Sequence, residues 1–250
     1  MKNIKFSFLV LLLLGAAACN KSTNTMPTPS INGNVTTDDA ADMVAGSLSL
    51  NSEGLVNMAS DATLNATVMG DSHLKCGTVR SDTISRQAGT GSPFSFSYKL
   101  TYNFMVDCNS NNQPDSLSSN LIYSGSYTGP NMSGSNSGSS NFGVGGLLPS
   151  ETQFVINGEY KRAGSFSSKV DTAKHGNSNV DIAISKLTLK KPSREIESGT
   201  ATFSITGTTP RKGIFSFTGT LVFNGDGTAT LTVNGNVYTI NLETGERHRH

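Results

Sequence analysis

Phe94-Ser95-Phe96-Ser97-Tyr98-Lys99-Leu100-Thr101-Tyr102-Asn103-Phe104-Met105-Val106-Asp107-Cys108 decides the fold class of this chain. Its even positions are apolar through Val106 and end on Cys108, and its odd positions through Asn103 are polar. Only a strand with one dry face and one wet face produces that alternation. At full extension the run would reach roughly 50 Å, well beyond an ordinary strand. A tall, curved sheet is therefore expected, or a bend that divides the strand between two sheets.

The C-terminal part repeats the period of two. Phe203 and Ile205 precede a turn over residues 208–213, and Phe215, Phe217, Leu221 and Phe223 follow it. Asn224-Gly225-Asp226-Gly227 is a second turn, and Asn234-Gly235 has the composition of a two-residue type I′ hairpin. That hairpin predicts Val233 opposite Asn236, Leu231 opposite Tyr238 and Ala229 opposite Ile240. Glycine also recurs in phase with the apolar residues, at Gly125, Gly158, Gly207 and Gly219. Glycines on an inward face predict a coiled sheet in which a neighbouring aromatic lies over each gap. Residues 131–141, almost all Ser, Gly and Asn, read as a mobile loop.

Upstream, the period is 3.6. Thr37 or Asp38 can cap a segment with Ala41, Val44, Ala45 and Leu48 on one face. A second segment opens at Asn51 or Ser52 and repeats the spacing with Leu55, Met58, Ala59 and Ala62. Gly46 and Gly54 are unfavourable to both helices. The period changes to two from about residue 66. The expected architecture is all-β: one antiparallel sheet coiled into a sandwich or half-barrel, with one or two short N-terminal helices against it. The helical segment is placed at 38–66, and a single antiparallel β domain at 67–245.

The chain opens with a basic Met1-Lys2-Asn3-Ile4-Lys5, an apolar run from Phe6 to Leu14, and small residues Gly15-Ala16-Ala17-Ala18 before Cys19. This is the layout of a secretory signal peptide, with a core too short to span a bilayer. The small residues ending at a cysteine resemble the lipobox of bacterial lipoproteins, with Ala16 where leucine is more usual. The resemblance implies removal of residues 1–18 and acylation of Cys19. Residues 19–37, with Pro27, Pro29 and Gly33, then form a flexible tether. Asn20 is not the aspartate that favours inner-membrane retention in that family, which implies an outer-membrane lipid anchor, with the domain on the periplasmic or the cell-surface face.

Losing Lys2 and Lys5 from 19 basic residues against 18 acidic leaves a mature chain within one charge of neutral. Such a chain has no electrostatic footprint for nucleic acid. Export places it in an oxidising compartment. With Cys19 acylated, Cys76 and Cys108 are expected to form a disulfide.

No nucleophile elbow, dinucleotide loop or histidine pair at helical spacing is present. His73, His175, His248 and His250 read as surface groups, with His248-Arg249-His250 a terminal tail. Asp107, Asn109, Asn111 and Asp115 alternate as in calcium loops, yet Asn112 stands at the glycine position and Ser118 at that of the bidentate glutamate. An Asn-rich hairpin loop is the favoured reading. Asp82-Thr83-Ile84, Asp115-Ser116-Leu117 and Asp171-Thr172-Ala173 resemble O-glycosylation acceptors of some Gram-negative secreted proteins. The expected function is a non-catalytic envelope lipoprotein with a binding or structural role and no cofactor. Its partners are the membrane, through the anchor, and a protein or an apolar ligand. The alternatives are a carrier of an apolar ligand in a coiled-sheet cavity and a carbohydrate-binding surface module.

Overall fold

The computed structural model describes residues 35–71, 75–89, 94–210 and 213–250. Helix α1 spans Thr37–Leu48 and helix α2 spans Leu55–Asp71, joined by a 3₁₀ turn at Leu50–Ser52. Eleven strands follow: β1 Val79–Gln87, β2 Ser95–Cys108, β3 Pro114–Thr128, β4 Met132–Gly145, β5 Gln153–Ser168, β6 His175–Lys190, β7 Ile196–Thr209, β8 Gly213–Phe223, β9 Thr228–Val233, β10 Asn236–Asn241 and β11 Arg247–Arg249. They form one antiparallel sheet in strict sequence order.

The expected sandwich is not present, because the eleven-strand ladder is continuous and never divides. Nor does the sheet coil into a half-barrel; it is neither closed nor strongly curled. The physical reason lies in the helices, which cover the apolar face that a second sheet would otherwise cover. Tyr98, Leu100, Tyr102, Phe104 and Val106 of β2 are all buried, while Lys99, Thr101 and Asn103 face solvent. The 3₁₀ turn touches both flanks of the sheet. Leu50 and Asn51 donate backbone hydrogen bonds to the Leu242 and Glu243 carbonyls after β10, and Glu53 pairs with Arg86 of β1.

The β9–β10 hairpin has the expected register, with Val233, Leu231 and Ala229 opposite Asn236, Tyr238 and Ile240. Asn234 and Gly235 have φ of 48° and 76°, the left-handed pair a type I′ turn requires.

The cap of the N-terminal helix is Thr36, one residue before the first of the expected caps, Thr37 and Asp38. Thr36 Oγ1 accepts from the Asp39 amide at 3.2 Å and Asp39 accepts from the Thr36 amide at 2.7 Å, a reciprocal capping box. Gly46 is tolerated in α1 because the Tyr127 ring packs where its side chain would be. The second helix runs to Asp71, past the expected change of period near residue 66.

Two further segments differ from expectation. Residues 131–141 are not a loop, since 132–141 belong to β4, paired with β3 and β5. Its even positions face inward, and Met132, Asn136, Ser140, Phe142 and Val144 are buried. The Tyr123 ring occupies the space above Gly138, so the apolar surface of this strand comes partly from its neighbour. The terminal His248-Arg249-His250 is not a free tail either. It carries β11, paired with β10, and Arg247 at its start is tied to α1 through Asp42 at 2.6 Å.

Of the four in-phase glycines, three lie beneath neighbouring rings: Gly125 under Tyr98, Gly207 under Phe215 and Gly219 under Phe203. Gly158 does not. It sits at a register shift between β5 and β6 with φ of +145°, and an added Cβ would meet the Asn141 carbonyl oxygen. Gly158 therefore serves a bulge that only glycine accommodates. Gly158→Ala is expected to cost about 1–3 kcal/mol in urea unfolding. An unchanged midpoint would show that the backbone relaxes there freely.

Candidate binding groove

Besides the Arg247–Asp42 tie and the neighbouring pairs of Asp38 and Asp39, the helix-sheet interface contains two further polar clusters. In β5 the inward series Phe154, Ile156, Gly158, Tyr160 continues into Arg162, a charged residue in phase with the core and only 6% exposed. Its Nη1 donates to the Gly46 carbonyl and its Nη2 donates to Tyr98 Oη at 2.9 Å. The guanidinium lies 4.1 Å from the centre of the Tyr127 ring. No carboxylate pairs with it among the described residues. The Gly46 carbonyl belongs to the last turn of α1, so the negative end of that helix supplies the opposing charge. Burial pushes the Tyr160 phenol up to about 12, keeping it neutral beside the guanidinium.

The second cluster joins the 3₁₀ turn and α2 to the first two strands. Arg86 reaches Asp61 at 2.8 Å and Glu53 at 3.4 Å, and Tyr102 donates to Asp61. Burial, opposed by Arg86 and reinforced by Asp61, pushes the Glu53 carboxyl up to about 7. A carboxyl raised in the folded state contributes stability present below its unfolded value near 4.5 and lost as pH rises through about 7. Glu53→Gln is expected to remove that decline, stabilising the protein by about 1–2 kcal/mol at pH 8. Thermal unfolding from pH 4.5 to 8 measures it. A variant with the wild-type pH slope would place the titration elsewhere.

Both clusters tie helical segments to the sheet. An open concave site lies at one end of the sheet. There the C-terminal half of α2, the Cys76–Cys108 disulfide, the β2–β3 hairpin, the β4–β5 loop and the β6–β7 turn surround a groove of about 930 Å³. Its apolar lining includes Ala66, Leu147, Leu148, Pro149, Phe154 and Pro192. Its charged groups are Lys75, Lys191 and Glu151. Glu151 accepts from the Leu148 amide at 3.0 Å, which holds the loop in shape. Lys191 Nζ stands 4.7 Å from the centre of the Phe154 ring. Burial lowers the Lys191 ammonium below its ordinary value, opposed by Glu151.

The cysteines expected to pair are paired: Cys76 and Cys108 have Cα atoms 5.6 Å apart and form the disulfide. Cys19 lies outside the described residues, as does His73. Three of the four calcium-type residues accept local hydrogen bonds. Asn109 Oδ1 accepts from the Asn111 and Gln113 amides, Asp107 accepts from Ser118, and Asp115 accepts from Ser116. Asn109 thus closes its own hairpin turn. Among the described residues no group of three or more His, Cys, Asp or Glu is placed to hold a metal. His250 Nε2 lies 2.7 Å from Thr239 Oγ1 and His175 near the Thr172 carbonyl, far apart in the sheet order. Of the acceptor triplets, Thr83 and Thr172 are exposed and Ser116 is half-buried.

Sequence reading missed Arg162 and the groove. Arg162 had a signal, its phase with Tyr160 and Phe166. The groove had none, because its walls come from α2 and four separate connections. Comparison with family models, curated proteins and solved structures finds no match for this chain.

Proposed function

We propose that this chain is a lipid-anchored, non-catalytic binding protein of the outer envelope membrane, with the end groove as its site. The observation that carries the reading is the division of its three cysteines. Cys76 and Cys108 are joined to each other. That leaves Cys19, at the end of an apolar run and small residues, for acylation. A disulfide fits the oxidising side of a membrane. The interior ionisable groups named above are engaged in ties between helices and sheet, which supports a non-catalytic reading. The apolar face of β2 is filled by helices, so ligand binding moves from the sheet interior to its end.

Metabolic labelling with a palmitate analogue tests the anchor. Wild type is expected to label and to fractionate with outer membrane, since dual or triple acylation gives stable anchoring. Cys19→Ala is expected to lose the label. Equal labelling of the two proteins would overturn the assignment.

A further inference from the structure

We propose that the groove at the disulfide end binds a long-chain carboxylate, its head between Lys75 and Lys191 and its chain along the apolar floor. The proposal rests on reading the folded part as a binding module and names its ligand class.

Three features carry it. The first is charge. Lys75 and Lys191 both line the groove, and neither has an ion-pair partner among the described residues. The neighbouring Lys190, by contrast, reaches Glu197 at 3.6 Å. The sole carboxylate among the lining residues, Glu151, is engaged with the Leu148 amide. The groove therefore offers a surplus of positive charge to an incoming anion. Lys191 gains from a carboxylate, because part of its hydration has already been given up to the surrounding protein.

The second feature is polarity. The ammonium of Lys191 sits against the Phe154 ring, so the charged and apolar parts of the lining are adjacent. Leu147, Leu148, Pro149 and Pro192 continue the apolar surface from there. A ligand that matches both parts has an anionic head joined to a hydrocarbon body. A free inorganic anion would leave the floor wet, and a neutral hydrocarbon would leave the ammonium groups unpaired.

The third is construction. A volume of about 930 Å³ lies within the range that holds small ligands. The disulfide ties Cys76, next to Lys75, to the end of β2, which fixes that wall against the hairpin.

The test is titration of the full chain carrying Cys19→Ala, so that no acyl group of its own competes, with a dansyl-labelled undecanoate. Saturable binding with a fluorescence rise is expected. The Lys75→Gln/Lys191→Gln variant is expected to bind about tenfold more weakly, as is the wild-type groove with the uncharged amide of the same probe. Leu148→Asp is expected to weaken binding by a similar factor. Lys99→Gln, on the solvent face of β2, is expected to leave it unchanged.

Absence of saturable binding overturns the proposal. So does equal affinity for carboxylate and amide, or a response to Lys99→Gln as large as that to the groove lysines. Loss of probe binding with Cys19 still acylated in cells would remove the ligand class and leave the anchored protein standing.

Discussion

Arg162→Ala is expected to lower the unfolding free energy by about 3–5 kcal/mol. The side chain is 6% exposed and joins three elements: the end of α1 through the Gly46 carbonyl, β2 through Tyr98, and β3 through the Tyr127 ring. Truncation removes two charge-assisted hydrogen bonds and a stacked contact, and it leaves a void beneath α1. Arg162→Met separates these contributions. It retains much of the volume and removes the charge, so its cost is expected to be smaller, about 1–3 kcal/mol, the loss of two buried hydrogen bonds whose acceptors keep other partners, Ser52 at the Gly46 carbonyl and Asn136 at the Tyr98 hydroxyl. Urea unfolding of both variants measures the difference. A methionine variant as stable as wild type would show that volume alone holds α1 on the sheet.

Removing the disulfide is expected to cost roughly 3–4 kcal/mol in the chain-entropy model. Its two cysteines are 32 residues apart in sequence, and the segment between them contains all of β1. Reduction releases that segment in the unfolded chain, and the added freedom favours unfolding. In the folded chain β1 is the edge strand, held on one side only by β2. The bridge thus stabilises the part of the sheet with the fewest partners. The Cys76→Ala/Cys108→Ala variant is expected to show a lower urea midpoint than wild type, and reductant should lower only the wild-type midpoint. Two thiols alkylated in freshly exported protein without reductant would show that the bridge does not form.

Edge protection is visible in the same strand. Arg80, Asp82 and Arg86 of β1 share the inward phase of Ile84, and each is a charge at a position where a central strand holds an apolar group. Charges pointing inward on an edge strand disfavour pairing with another sheet. At the opposite edge β11 is only three residues long, which serves the same end.

The sequence by itself determined whatever depends on residues close together in the chain. The alternation from Phe96 to Val106 fixes which face of β2 is dry, because successive side chains of a strand point to opposite sides. Asn234-Gly235 determines the β9–β10 register, because only left-handed residues make that turn. The small-residue stripes of the two helices identify the face each lays on the sheet. The disulfide also matches the sequence expectation, which set Cys19 aside for acylation.

Tertiary structure decided the rest. Whether eleven strands divide into two sheets or remain one depends on what covers the apolar face, and two helices of small residues cover it here. The Ser, Gly and Asn of β4 have the composition of a loop. They form a strand because Tyr123 supplies, from the next strand, the ring that the glycine lacks. The short C-terminal strand is held by Arg247 on Asp42, partners 205 residues apart in the chain. The groove belongs to no segment at all. Helix α2 and four connections build it only where the sheet brings their ends together, and no local pattern records a surface made of parts so distant in sequence.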